Sequence, residues 1–133
     1  MGRARLILLD TCALLWLAAY DDHLSALARE TIRASAGGLF VSAISALEIG
    51  IKVRKGKLRL PQRADRWFPQ ALAAHGVTEL PVTSAIALAS AALPKLHDDP
   101  ADRIIVATAL EQGLLVLTPD AKLRAYPKLR SAW

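Results

Sequence analysis

LILLDTCALLW, residues 6–16, is the stretch on which the fold is decided. Leu6 to Leu9 is an apolar run with the length and composition of a buried strand. Asp10 stops it, and Thr11 and Cys12 lead into a second apolar run, 13–19, of helical character. In open parallel α/β sheets, ligands sit outside the carboxyl ends of the strands, which is where Asp10 falls. An ionised carboxylate there is costly to desolvate unless a cation or hydrogen-bond donors meet it. Asp10 also reads as a plain N-cap for the helix that follows. The positions of the other acids decide between the two.

Outward from this stretch, short apolar runs alternate with helical periodicity. Residues 23–36 place Leu24, Leu27, Ala28 and Ile32 on one helical face, and Gly37-Gly38 ends them. Leu39, Phe40 and Val41 form a second strand, with Ser42 as N-cap of a helix over 43–54. In that helix Ile44, Leu47 and Ile51 keep the i, i+3, i+7 spacing, so Glu48 borders the buried stripe. A helix over 63–75, a strand over 77–80 and an alanine-rich helix over 84–93 follow. Asp99-Pro100 then starts a helix that runs to Gln112 and is closed by Gly113. Residues 114–117 are the last clear strand, ending in Thr118-Pro119-Asp120. This alternation predicts an α/β fold with a mainly parallel sheet covered on both faces.

The bulk composition agrees. A chain of 133 residues, 53% hydrophobic and 22% charged, is one globular domain, taken as residues 1–133. Seventeen Lys and Arg against twelve acids give +5, which suits a polyanionic partner. The lone Cys12 excludes an internal disulfide framework and a Cys-rich zinc site, and fits a reducing cytoplasm. Arg3 and Arg5 ahead of an apolar segment resemble a signal peptide, but Asp10 falls inside that segment. No run reaches the ~18–20 apolar residues of a membrane span. The expectation is a soluble cytoplasmic domain.

Four acids then converge in this reading. Asp10 ends the first strand and Asp120 lies just past the last, so both reach one rim of a parallel sheet. Asp102 sits in the first turn of the Asp99 helix, and Glu48 two turns into the helix after the second strand. Bare carboxylates so placed repel one another. An oxygen-rich set of this kind suits Mg²⁺ or Mn²⁺, which would activate water and stabilise charge on a phosphoryl group. Each acid has a plainer role available: Asp99 and Asp102 resemble a capping box, Glu48 a solvated helix flank, Asp120 a turn residue. The histidines lack metal-ligand spacing and read as surface, with His97 singled out only by its acidic neighbours.

The segments LLDTCALLW, VSAISALEIGIKVRKGKL, HDDPADRIIVATA and LLVLTPDAKLRAYP, in this order, resemble those of PIN-domain ribonucleases, and more narrowly VapC-type toxins. The resemblance covers essentially the whole chain. It implies a three-layer α/β/α fold and Mg²⁺- or Mn²⁺-dependent endonucleolytic cleavage of RNA by activated water. It also implies a homodimer and a small cognate antitoxin protein as partner. By position Asp10, Glu48 and Asp102 match the family's core acids, Asp120 its variable fourth, and Asp99 an extra acid of one subgroup. Relatives often carry Phe where this chain has Ala101. Thr11, Ser42 and Thr118 are then candidates to orient the carboxylates through their hydroxyls. Five cations lie within residues 52–59, and Lys52, Arg54 and Lys55, with Arg103, are the candidate contacts to the RNA backbone.

Two other readings stay open on sequence alone. One is a PIN-like RNA-binding module without catalysis, against which stand the intact acids. The other is a metal-dependent phosphatase, which typically needs a second Asp two residues after the first, where this chain has Cys12.

Overall fold

The computed structural model describes residues 5–133; the first four residues of the domain assignment lie outside it. The elements in chain order are β1 (Ile7–Leu9), α1 (Thr11–Ala19), α2 (Ala26–Ala34), β2 (Leu39–Ser42), α3 (Ile44–Arg54) and α4 (Ala64–His75). There follow β3 (Val77–Leu80), α5 (Ser84–Ala91), α6 (Pro100–Gln112), β4 (Leu115–Leu117), α7 (Ala121–Arg124) and β5 (Ser131–Ala132).

The strands form one sheet in the order β3-β2-β1-β4-β5, and every pairing is parallel. In β1 the side chains alternate between two cores. Ile7 and Leu9 pack with α1, α2, α3 and α4 on one face, and Leu8 packs with α6 and α7 on the other. All three are fully buried, which is why the strand is apolar without alternation. The chain is therefore the three-layer α/β fold expected. Gly38 permits the start of β2 to approach β1 closely, since a Cβ there would stand 2.6 Å from the Arg5 carbonyl oxygen.

Topology singles out one place on the sheet. The chain builds outward from β1 through β2 to β3, then returns by α5 and α6 to lay β4 against the other side of β1. The strand order reverses between β1 and β4, and the crevice at their carboxyl ends is where such sheets bind ligands. Asp10 and Thr118 are the first residues past those ends.

Boundaries differ from the sequence reading where a cap decides them. Helix α1 begins at Thr11 because the Asp10 carboxylate accepts from the Ala13 N–H, and α2 begins at Ala26 because Ser25 accepts from Ala28. Helix α5 stops at Ala91, short of Leu93. Helix α7 and strand β5, four and two residues long, follow what had read as the last strand. Elements that short carry no periodicity. Among the described residues no helix is long and apolar enough to cross a membrane.

Candidate metal centre at the switch point

Asp10 turns out to be both things the sequence allowed. It caps α1 through Oδ1, 2.8 Å from the Ala13 nitrogen, and it occupies the switch point at 5% exposure. Its Oδ2 accepts from the Thr118 hydroxyl at 2.6 Å, a bond that closes the gap between the ends of β1 and β4. Burial pushes the Asp10 carboxyl up to about 6, against the bonds from Thr118 and Ala13, with the charges of Glu48 and Asp120 adding to the rise.

Glu48 projects from α3 and accepts from the Thr11 hydroxyl at 2.5 Å. Thr11 has only one hydroxyl hydrogen, so the Ser45 hydroxyl 2.8 Å away must donate to it. This gives a relay, Ser45 to Thr11 to Glu48, that aims the carboxylate. Burial raises the Glu48 carboxyl, and the Asp99 charge opposes its ionisation further, while Thr11 and Lys52 favour the charged form.

Asp102 is the common member of two groups. With Glu48 and Asp99 it forms one set, and with His97 and Asp120 another, the ligand atoms of each set lying within 4.8 Å of one another. Its carboxyl is pushed up to about 7, first by burial, then by the charges of Glu48 and Asp99; His97 acts the other way. Asp99 keeps its capping role as well, accepting from the Asp102 N–H at 3.1 Å. Asp120 caps α7, its Oδ1 accepting from the Lys122 N–H at 2.8 Å.

Most of the residues singled out in the sequence thus come together. Thr118 does more than expected, since its oxygen also accepts from the Asp120 N–H at 3.1 Å and so links two acids. Two expectations are corrected. Ser42 orients no carboxylate: its buried hydroxyl accepts from the Ile44 N–H at 3.1 Å and secures the start of α3. Arg103 is not free to meet a phosphate. Its guanidinium donates to the carbonyls of Ser90 and Leu93 at 2.9 Å and of Pro94 and His97 at 3.2 Å. A fork with those acceptors is a clamp on the connector between α5 and α6.

The cations divide as well. A groove of about 390 Å³ between α3 and the start of α6 is walled by Leu47, Ile51, Lys52, Lys55 and Lys57 and floored by Glu48 and Asp99. Lys52 and Lys55 line the groove together with Glu48 and Asp99; Arg54, exposed, does not. The sequence gives no sign of Ser45 and makes His97 only a minor candidate. His97 is only 14% exposed, with Nε2 between Asp102 and Asp120. Its signal was its place in the run HDD just before Pro100.

The donor set fits a hard divalent cation. Its oxygens come from carboxylates at α1, α3, α6 and α7, two of the carboxyls are held well above their ordinary values by burial, and no Lys or Arg is ion-paired to them among the described residues. A cation meeting these oxygens removes the cost of ionising them.

The chain matches the family model described as PIN domain over residues 7–129. It is 35% identical to Ribonuclease VapC22 of Mycobacterium tuberculosis over 130 residues, covering 96% of this chain and 98% of that one. Among solved structures it resembles a chain of VapBC2 from Rickettsia felis bound to a DNA fragment from their promoter, with TM-score 0.71, 12% identity and coverage of 96% and 98%. It also resembles a chain of a toxin-antitoxin complex from Klebsiella pneumoniae, with TM-score 0.67, 22% identity and 96% of each chain covered.

Proposed function

This chain belongs to the PIN-domain family, and from that premise we propose that it is a metal-dependent endoribonuclease, the toxin of a VapBC-type toxin–antitoxin pair. The observation that supports the reading is that Glu48 and Asp102 offer ligand atoms within 4.8 Å of one another, while Asp10, buried at the switch point between β1 and β4, feels the charges of Glu48 and Asp120. The relative named a ribonuclease, matched over nearly its full length, supports RNA as the substrate. The fold shared with toxin–antitoxin complexes supports a small antitoxin protein as partner. A homodimer in the cytoplasm completes the proposal.

In this reading Asp10, Glu48 and Asp102 would hold a Mg²⁺ or Mn²⁺ ion, with Asp120 and Asp99 assisting. Bound there, such a cation would supply Lewis-acid stabilisation of phosphoryl charge and a more acidic water for attack at neutral pH. Thr118 and Thr11 fix the orientation of Asp10 and Glu48 through hydroxyl hydrogen bonds. Lys52 and Lys55, beside the acids in the groove, meet phosphates on either side of the scissile bond.

The test is cleavage of total cellular RNA by wild type and Asp10→Asn, with Mg²⁺ or Mn²⁺ and with EDTA. Discrete fragments from wild type alone, lost on chelation, are expected, with Asp10→Asn at least ~10³-fold slower and still folded. Intact RNA in every lane from antitoxin-free protein turns the reading toward an RNA-binding module. Turnover of a phosphomonoester in its place turns it toward a phosphatase.

A further inference from the structure

The imidazole of His97 has both nitrogens engaged. Nδ1 lies 3.1 Å from the backbone nitrogen of Asp99, which donates its hydrogen to the ring. That nitrogen therefore carries a lone pair, and the ring proton of the neutral imidazole sits on Nε2. Nε2 in turn donates to Asp120 Oδ2 at 3.2 Å and stands 3.0 Å from Asp102 Oδ2. The ring is mostly buried, and the carbonyl of His97 is gripped by Arg103, so neither end is free to drift.

Grouped with Asp102 and Asp120, this ring has the outline of a metal ligand, and its own hydrogen bonding argues against that role. A ring that coordinates through Nε2 must carry its proton on Nδ1. That proton would then face the Asp99 N–H, two donors at 3.1 Å with no acceptor between them. From this geometry we infer that His97 is a positioning residue, which holds the carboxylates of Asp102 and Asp120 beside one N–H, and that it is not a ligand. The inference rests on the metal-dependent reading of the site.

Its consequence is an all-oxygen donor set. Asp120 has Oδ1 on the Lys122 N–H and Oδ2 on His97, so its carboxylate is fixed from both sides. Asp102 has its Oδ2 beside the same ring, 3.0 Å from Nε2. A hard oxygen set favours Mg²⁺ or Mn²⁺, where a coordinating imidazole would shift preference toward softer ions.

Two variants separate the roles of the two nitrogens. His97→Gln places an amide N–H₂ near the position of Nε2, and so keeps the donor to the acids while losing the acceptor for Asp99. His97→Asn places an acceptor near Nδ1, and so keeps the Asp99 contact while losing reach to the acids. Mn²⁺ affinity, followed by the loss of the free-ion electron paramagnetic resonance signal, needs no RNA. The expected result is His97→Gln within about threefold of wild type and His97→Asn weaker by about tenfold or more, with His97→Asn melting like wild type when metal-free. Spin-echo spectra of Mn²⁺-loaded wild type should show no directly bound ring nitrogen.

A bound ring nitrogen in those spectra overturns the inference even if a variant fails to fold. So does His97→Asn with wild-type affinity, which would leave His97 a cap for the connector alone, and so does an equal loss in both variants. Wild type that takes up no Mn²⁺ overturns it whatever the RNA shows. The nuclease reading is scored separately, by cleavage in wild type against Asp10→Asn: tight Mn²⁺ binding with intact RNA sinks that reading and leaves this one standing.

Discussion

Asp102 ionises only with difficulty, because burial and the neighbouring charges of Glu48 and Asp99 hold its carboxyl at about 7. A cation needs the ionised form, so binding must displace a proton whenever the pH lies near or below that value. Between pH 6 and pH 8 the apparent Mn²⁺ affinity is expected to rise about tenfold or more. Calorimetric titration in two buffers of different ionisation heat counts the protons released at pH 6, and a count of zero contradicts the placement of Asp102 at the metal. Thr118 offers a second test at this scale. Its hydroxyl donates to the buried Asp10 Oδ2, so Thr118→Val leaves that oxygen short of a donor. The loss of the Asp120 N–H acceptor costs the same at both pH values, so the expected signature is an additional ~1–3 kcal/mol at pH 8, where Asp10 is ionised, that is absent at pH 5. Urea unfolding of the metal-free variant at the two pH values reads it directly.

At the scale of elements, α6 was legible in the sequence and the connector before it was not. Asp99 as cap, Pro100 at the first position and Gly113 past the end mark a helix with local chemistry alone. The connector over 92–98 has no such marks, because its shape is imposed from elsewhere by the Arg103 fork. That is also why His97 read as surface: its neighbours in space, Asp102 and Asp120, are brought there by α6 and by the turn after β4. Asp10, Asp102 and Asp120 were readable because each follows a strand end or opens a helix, positions that topology sends to one rim, and Glu48 because it borders the buried stripe of α3. Arg103→Ala is expected to lose ~2–4 kcal/mol of stability, and Arg103→Lys to recover little of it, since an ammonium cannot reproduce a planar fork over several carbonyls. Lys52→Ala should behave in the opposite way, leaving the melting temperature alone and reducing the salt dependence of RNA binding by about one ion. Equal effects of the two on RNA affinity at constant stability would restore Arg103 as a phosphate contact.

The molecule as a whole is a cation of charge +5 that gathers a buried Asp10 and the half-buried Glu48, Asp102 and Asp120 at one rim of its sheet. The two facts belong together if the acids are there for a metal and the surface is there for phosphate, and stability tests the first. Asp10 and Asp102 sit at about 6 and about 7 in the folded chain against an ordinary 3.8, and Glu48 is raised as well. Between those values and 3.8 the folded state holds more protons than the unfolded one, so stability falls as pH rises through the window. The stabilising protonation is complete near pH 4 and gone by about pH 8. Metal-free protein in EDTA is therefore expected to melt lower at pH 8 than at pH 5, by about 4 °C for each kcal/mol lost. A divalent cation binds only the folded arrangement and offsets the same repulsion, so it restores the melting temperature by mass action. Its effect must be large at pH 8 and small at pH 5, where protons already occupy the acids. Asp102→Asn removes the largest share of the pH dependence and, with it, most of the response to Mn²⁺. Melting curves of both proteins at the two pH values, with and without Mn²⁺, decide the matter. A wild type whose melting is indifferent to Mn²⁺ at pH 8 would leave the cluster without its counter-ion and the proposed nuclease without its metal.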